Sequence, residues 1–160
     1  MEMKPGDLAA MARKAQKQAY APYSGYKVGA ALLTSEGHIF TGANIENASY
    51  GLTVCAERIA VFAAVHAGER EFRSIAITGS GEGYIYPCGA CLQVLAEFSV
   101  NIKIISVNEN DEIRKYYLGE MLPKAFSLNK NVSSPEVTLV GAVNDQVLCF
   151  NQDDPSRRGK

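Results

Sequence analysis

A chain of 160 residues, 47% of them apolar, suits one domain around a single core and implies no second domain. A formal net charge of -1 and a pI near 6.1 leave no basic footprint for a nucleic-acid partner. No apolar run approaches the roughly 18 residues of a membrane span, and the Met1-Glu2-Met3-Lys4-Pro5 start lacks the apolar stretch of a secretory signal, so the expected location is cytoplasmic, with no membrane partner.

In chain order, residues 7–20 read as an amphipathic helix with Leu8, Met11, Ala12, Ala15 and Ala19 on one face, closed off before Pro22. Residues 27–34 and 38–44 read as two strands joined by a Ser35-Glu36-Gly37 hairpin loop. Thr53 is the expected cap of a helix that carries Cys55 in its first turn, then Glu57, Ile59, Ala60, Phe62 and Ala63, and that runs to His66 with Gly68 as its stop. A buried strand over 74–79, a helix over 88–97 opened by Pro87 and a strand over 102–107 follow. This alternation predicts an α/β layered fold. Residues 136–143 and 146–150 read as a further strand pair around Asn144-Asp145, and residues 153–160 as a disordered polar tail, so the single domain is expected over 1–152.

The chemistry is concentrated in Cys55-Ala56-Glu57 and Pro87-Cys88-Gly89-Ala90-Cys91. A structural zinc site fills four tetrahedral positions with protein ligands, whereas a catalytic one uses three and leaves the fourth open. Cys55, Cys88 and Cys91 supply three thiols, and neither His38 nor His66 lies in ligand spacing with them. Glu57, two residues after the first thiol, is placed to carry a proton between metal-activated water and a substrate. The same pattern argues for a reducing compartment rather than disulfides. The fourth cysteine, Cys149, reads as a small apolar side chain in an alternating strand. Both ligand segments open helices, whose N-terminal dipoles offset part of the charge of three thiolates on one dication.

Five ordered motifs resemble the small cytidine deaminase family: residues 21–31 (APYSGYKVGAA), residues 41–50 (TGANIENASY), the two cysteine motifs, and residues 118–126 (LGEMLPKAF). The three-cysteine ligation with a non-ligand glutamate is the arrangement of zinc deaminases. The resemblance, spanning about residues 5–127, implies a three-layer α/β/α fold with a mixed, about five-stranded sheet and one Zn2+ per chain. It makes Glu57 the acid/base and Arg58 a donor that softens a thiolate. It has Asn44 and Glu46 grip the ribose 3'-hydroxyl, as the donor and acceptor capacity of an amide and a carboxylate would allow. Tyr26 stands where relatives commonly carry a phenylalanine stacked on the pyrimidine, and the backbone of Ala56 is expected to read the base edge. Ala48, Tyr50 and Phe126 match positions that reach a neighbouring subunit's site in homotetrameric relatives. After Phe126 the family's Phe-Gly-Pro is replaced by Ser127-Leu128-Asn129-Lys130.

The implied activity is hydrolytic deamination of cytidine and deoxycytidine to uridine and deoxyuridine in pyrimidine salvage. A modified cytosine nucleoside such as blasticidin S would need the same zinc chemistry, although the Asn44 to Tyr50 stretch argues for a plain ribose. A polynucleotide substrate conflicts with a gripped 3'-hydroxyl and with the missing basic groove. A zinc-stabilised binding protein without catalysis would have no use for Glu57.

Overall fold

In the computed structural model, which describes residues 3–128, the chain forms α1 (Pro5–Gln16), β1 (Val28–Thr34), β2 (Ile39–Ala43), a short 3-10 helix (Tyr50–Leu52), α2 (Ala56–His66), β3 (Phe72–Gly79), α3 (Gly89–Ala96), β4 (Lys103–Val107), β5 (Ile113–Tyr117) and α4 (Leu118–Met121). The five strands make one sheet in the order β2-β1-β3-β4-β5. Strand β1 runs antiparallel to β2 and β3, β3 is parallel to β4, and β4 is antiparallel to β5, so the sheet is mixed.

Period-two alternation divides the core between the two faces of this sheet. Ala30, Leu32, Ile75, Ile77 and Ile104 pack on one face against Ala56, Ala60, Val61 and Ala64 of α2 and Leu92, Leu95 and Ala96 of α3. Ala31, Leu33, Ala76, Ile105 and Val107 face the other way, against Leu8, Ala9 and Ala12 of α1. Each fully buried leucine or isoleucine contributes about 1.5–3 kcal/mol of transfer free energy, and the two sets together make the expected three layers.

Two glycines let the helices approach the sheet. A Cβ on Gly29 would collide with the Ala12 carbonyl and the Gln16 nitrogen of α1, and one on Gly42 with the Ala56 carbonyl and the Ala60 nitrogen of α2. The first turn of α2, which carries the candidate acid/base, therefore rests directly on the β2 backbone.

Helix α1 stops at Gln16 rather than reaching residue 20. Lys17, Gln18 and Ala19 donate to carbonyls three residues back, the tightening usual at a helix end, and Tyr20 turns out to bridge Ile45. Helix α2 stops as expected: Gly68 has φ +100, and the Gly68 and Glu69 N–H groups donate back to Val65 and Ala64. The fifth strand, β5, has no counterpart in the sequence reading; the expected strand pair at 136–150 and the tail at 153–160 lie outside the described residues. Among the described residues no helix is long and apolar enough to cross a membrane.

Candidate metal centre and substrate cavity

Helix α2 begins one residue later than expected for a first-turn Cys55. Cys55 is the extended residue preceding the helix (φ -70, ψ 155), and Cys88 holds the same place before α3 (φ -71, ψ 165). Neither thiol caps its helix, so both sulfurs are free to point off the helix ends, while Cys91 reaches the same point from within α3. Thr53 is not the cap; its hydroxyl accepts the Asn47 N–H and its carbonyl accepts from Arg58, which closes the 47–53 loop instead.

The three sulfurs lie within 4.8 Å of one another, with Cys55 and Cys88 at 4.0 Å and Cys88 and Cys91 at 3.6 Å. Tetrahedral zinc at a Zn–S bond of about 2.3 Å spaces its sulfurs by about 3.8 Å, and these two separations bracket that value. The donor set is soft thiolate at a helix-dipole end, which suits Zn2+. All three cysteines are free, and among the described residues they form the one group of metal-ligating side chains. His38 pairs with Glu69 and does not join it.

The surroundings pull two of the thiol pKa values apart. The Cys55 thiol is held down to about 5, first by its hydrogen bond with Cys91 and then by Arg58 and Cys88. Cys91 is pushed up by the same bond, by burial and by the negative charge of Glu57. The Arg58 Nη2 donates to the Cys55 sulfur at 3.7 Å and to the Thr53 carbonyl at 3.1 Å, while its buried Nε has no partner.

Glu57 is 5% exposed and lies in the first turn of α2. Burial pushes its carboxyl pKa up, and the negative Cys55 adds to the rise. It faces a cavity of about 220 Å³ lined by Val28, Asn44, Thr53, Cys55, Glu57, Ile85, Tyr86 and Cys88. A buried carboxyl beside three thiols, with an apolar wall and one carboxamide, can receive and return a proton to a bound heterocycle.

Asn44 belongs to this cavity. It is 8% exposed; its Oδ1 accepts the Val28 N–H at 2.8 Å and its Nδ2 donates to the Tyr26 carbonyl at 2.9 Å. An amide has two donors and two acceptor positions, so one of each remains. Glu46 lines an adjoining cavity of about 390 Å³ with Tyr23, Ser24, Tyr50 and Thr53, and Thr53 is common to both. Its carboxylate accepts the Tyr23 and Ser24 N–H groups and the Ser24 hydroxyl, with the hydroxyl the main cause that holds its pKa below the usual range.

The remaining expected residues are placed as follows. Tyr26 does not line the metal cavity; its ring lies over Gly79 and Gly81, where an added Cβ would meet it. Ala56 is fully buried, with its carbonyl packed on Gly42. Ala48 is exposed, as are Tyr50 at 75% and Phe126 at 70%. The Gln93 side chain holds the Phe126 backbone, with Nε2 donating to its carbonyl at 2.7 Å and Oε1 accepting its N–H at 3.2 Å. Sequence reasoning missed Gln93 and the cavity residues Val28, Ile85 and Tyr86. Tyr86 had one usable signal: as the residue before Pro87 it is held extended, immediately beside a ligand. Its hydroxyl is 3.3 Å from that of Tyr116 on β5.

Comparison with known proteins agrees with this geometry. The family model of the cytidine and deoxycytidylate deaminase zinc-binding region matches residues 4–107. A cytidine deaminase of Sporosarcina psychrophila is 46% identical over 121 residues, covering 75% of this chain and 89% of that protein. A probable cytidine deaminase of Dictyostelium discoideum is 41% identical over 126 residues, 78% of this chain and 85% of its own. The crystal structure of the Burkholderia pseudomallei cytidine deaminase superposes with a TM-score of 0.75 at 47% identity, covering 78% of this chain and all of that one. With its ordered motifs, its mixed sheet and its three converging thiols, the chain belongs to the cytidine deaminase family.

Proposed function

We propose that this chain hydrolyses cytidine and deoxycytidine to uridine and deoxyuridine with release of ammonia, in the cytoplasm and in pyrimidine salvage. The observation that carries the proposal is Glu57, a buried carboxyl with a raised pKa one helical step from a three-thiol metal site. Bound zinc supplies a water that loses its proton near neutral pH and a positive charge for the developing oxyanion. Cys55, Cys88 and Cys91 would hold that ion, and Glu57 is placed to accept a proton from a water beside it and to deliver that proton to ring N3 as the water oxygen adds at C4. It then takes the remaining proton of the added oxygen and passes it to the amino nitrogen, so that the C4 carbonyl forms as the C4–N bond breaks and ammonia leaves. Burial raises the carboxyl pKa, which favours its holding the proton between these transfers.

Asn44 fixes the mouth of β1 through Tyr26 and Val28, and its one free donor and one free acceptor suit a hydroxyl. Glu46, oriented by Tyr23 and Ser24, adds a charged acceptor in the adjoining cavity, and the pair is assigned to the ribose 3'-hydroxyl. With its carbonyl packed on Gly42, Ala56 is assigned to the base edge through its backbone N–H, and Tyr26 supports that end of β1 from over Gly79. Arg58 offsets the thiolate charge through Cys55. The exposed aromatic side chains of Tyr23, Tyr50 and Phe126 suit burial against further copies of the chain, which supports a homotetramer in which Ala48, Tyr50 and Phe126 complete a neighbouring site.

Ammonia release from cytidine, deoxycytidine, cytosine, cytidine 3'-phosphate, blasticidin S and an oligonucleotide tests the proposal. Turnover of the two free nucleosides is expected, with weak or no turnover of the others. Equal turnover of cytidine 3'-phosphate or of free cytosine would contradict the sugar-site assignment, and inactive zinc-loaded protein would contradict the activity.

A further inference from the structure

The face of the sheet opposite the metal centre holds a further cavity, of about 240 Å³, between the start of α1 and the strand ends beneath it. Leu33 of β1, Ser74 of β3 and Lys103 of β4 form one row across the sheet, since Leu33 is paired with Ser74 and Ser74 with Lys103. At this row β3 carries one extra residue: Leu33 pairs with Ser74 but Thr34 pairs with Phe72, so Arg73 is the bulged residue. A bulge breaks the alternation and re-aims a side chain, and Arg73 and Ser74 accordingly line the same cavity. Lys4, at the N-terminal end of α1, closes it, and Leu8, Leu33 and Ile105 form its apolar floor.

The polar groups here have nothing to bind. Among the described residues, Lys4, Arg73 and Lys103 make no ion pair or side-chain hydrogen bond and no acidic side chain lines the cavity; Asp7, the acid of the first turn of α1, is not part of the lining. Ser74 is only 7% exposed, yet its hydroxyl has no partner and opens on the cavity rather than being sealed in the core. Three cations brought together without a counter-charge repel one another, and the α1 dipole adds positive potential from the same side. One monoanion would leave the cluster strongly positive.

We propose that this cavity binds a phosphate-type dianion, either inorganic phosphate or the phosphate of a small monoester. The Arg73 guanidinium supplies a planar fork for two oxygens, Lys4 and Lys103 supply point charges, and the Ser74 hydroxyl donates from below. The apolar floor takes the organic part of an ester. This site is independent of the zinc chemistry, being on the other face of the sheet, and its loss leaves cytidine deamination intact.

The test is a titration of the full-length zinc-loaded protein with sodium phosphate and, separately, with cytidine 5'-monophosphate at constant ionic strength, read by backbone amide chemical shifts. Saturable shifts at Leu8, Gly37, Ser74 and Lys103 are expected. Arg73→Ala and Lys103→Ala should each weaken binding by about tenfold or more while cytidine turnover persists as the check on folding, and Ser74→Ala should weaken it less. Comparable affinity for the two probes identifies free phosphate as sufficient, and tighter nucleotide binding identifies an ester; either supports the site. Shifts reproduced by chloride at equal ionic strength, shifts only around Cys55 and Glu57, or affinity unchanged in both Arg73→Ala and Lys103→Ala would overturn it.

Discussion

Gly42→Ala should inactivate the enzyme more than it unfolds it. The added Cβ would clash with the Ala56 carbonyl, lie 2.7 Å from the Ala60 nitrogen and lie 2.9 Å from the Ile59 Cβ, where ordinary contact begins at 3.4 Å. Two of these three atoms are backbone, so no rotamer change relieves the clash and α2 must retreat by about 0.7 Å or more. Overpacking of this kind costs about 1–3 kcal/mol of stability. The retreat also carries Cys55 and Glu57 away from Cys88 and Cys91, and a misplacement of about 1 Å costs on the order of 100-fold in rate. Gly29→Ala is the matched control, because its Cβ clashes with Ala12 and Gln16 of α1 on the far side of the sheet. Denaturant unfolding and ammonia release per folded, zinc-loaded molecule should show both variants destabilised but only Gly42→Ala strongly impaired in kcat. Equal specific activities in the two variants, or a Gly42→Ala protein as stable and active as the parent, would refute the claim that β2 sets the position of the acid/base.

Two further outcomes follow from the centre and its rim. Replacing Cys55, Cys88 or Cys91 by serine should abolish stoichiometric zinc, whereas Cys149→Ser should retain one zinc per chain by metal analysis, and chelation should remove activity that added zinc restores. The Glu46 carboxylate is held below its usual pKa by Ser24 and Tyr23; a folded-state value below the unfolded one gives stability that is present above the unfolded value of about 4.3 and is lost as pH falls through the folded value. Thermal unfolding of Glu46→Gln should therefore show a flatter acid limb than the parent, and an identical limb would remove this contact from the account.

The metal site was legible because its chemistry is local. Cys55 and Glu57 are two residues apart, Cys88 and Cys91 three, and each pair opens a helix, so sequence spacing maps almost directly onto spatial spacing. Strands β1 to β4 were legible from their apolar residues and turn signals, and in the structure the alternation along β1, β3 and β4 divides the core between α1 on one face and α2 with α3 on the other. Strand β5 was not, because Ile113-Arg114-Lys115-Tyr116-Tyr117 carries a charged pair at its centre and no apolar alternation. The α2 boundary was displaced because Thr53 is a good capping residue by type, but its hydroxyl is taken by the 47–53 loop. The cavity wall was least visible: Val28, Ile85 and Tyr86 meet only through the crossing of β1 with the segment after β3. Gln93, likewise, looks like any polar helix residue until Phe126 returns to it.

The central claim is that Glu57 moves protons beside a metal it does not bind. Glu57→Gln keeps the side chain's size and removes its titratable proton. Zinc content and single-turnover deamination of cytidine, measured on the same purified variant, test the claim directly. The account predicts one zinc per chain with a rate lowered by about 10²- to 10⁴-fold. A zinc-loaded Glu57→Gln protein that deaminates cytidine at nearly the parent rate, or one that loses its zinc, would contradict it.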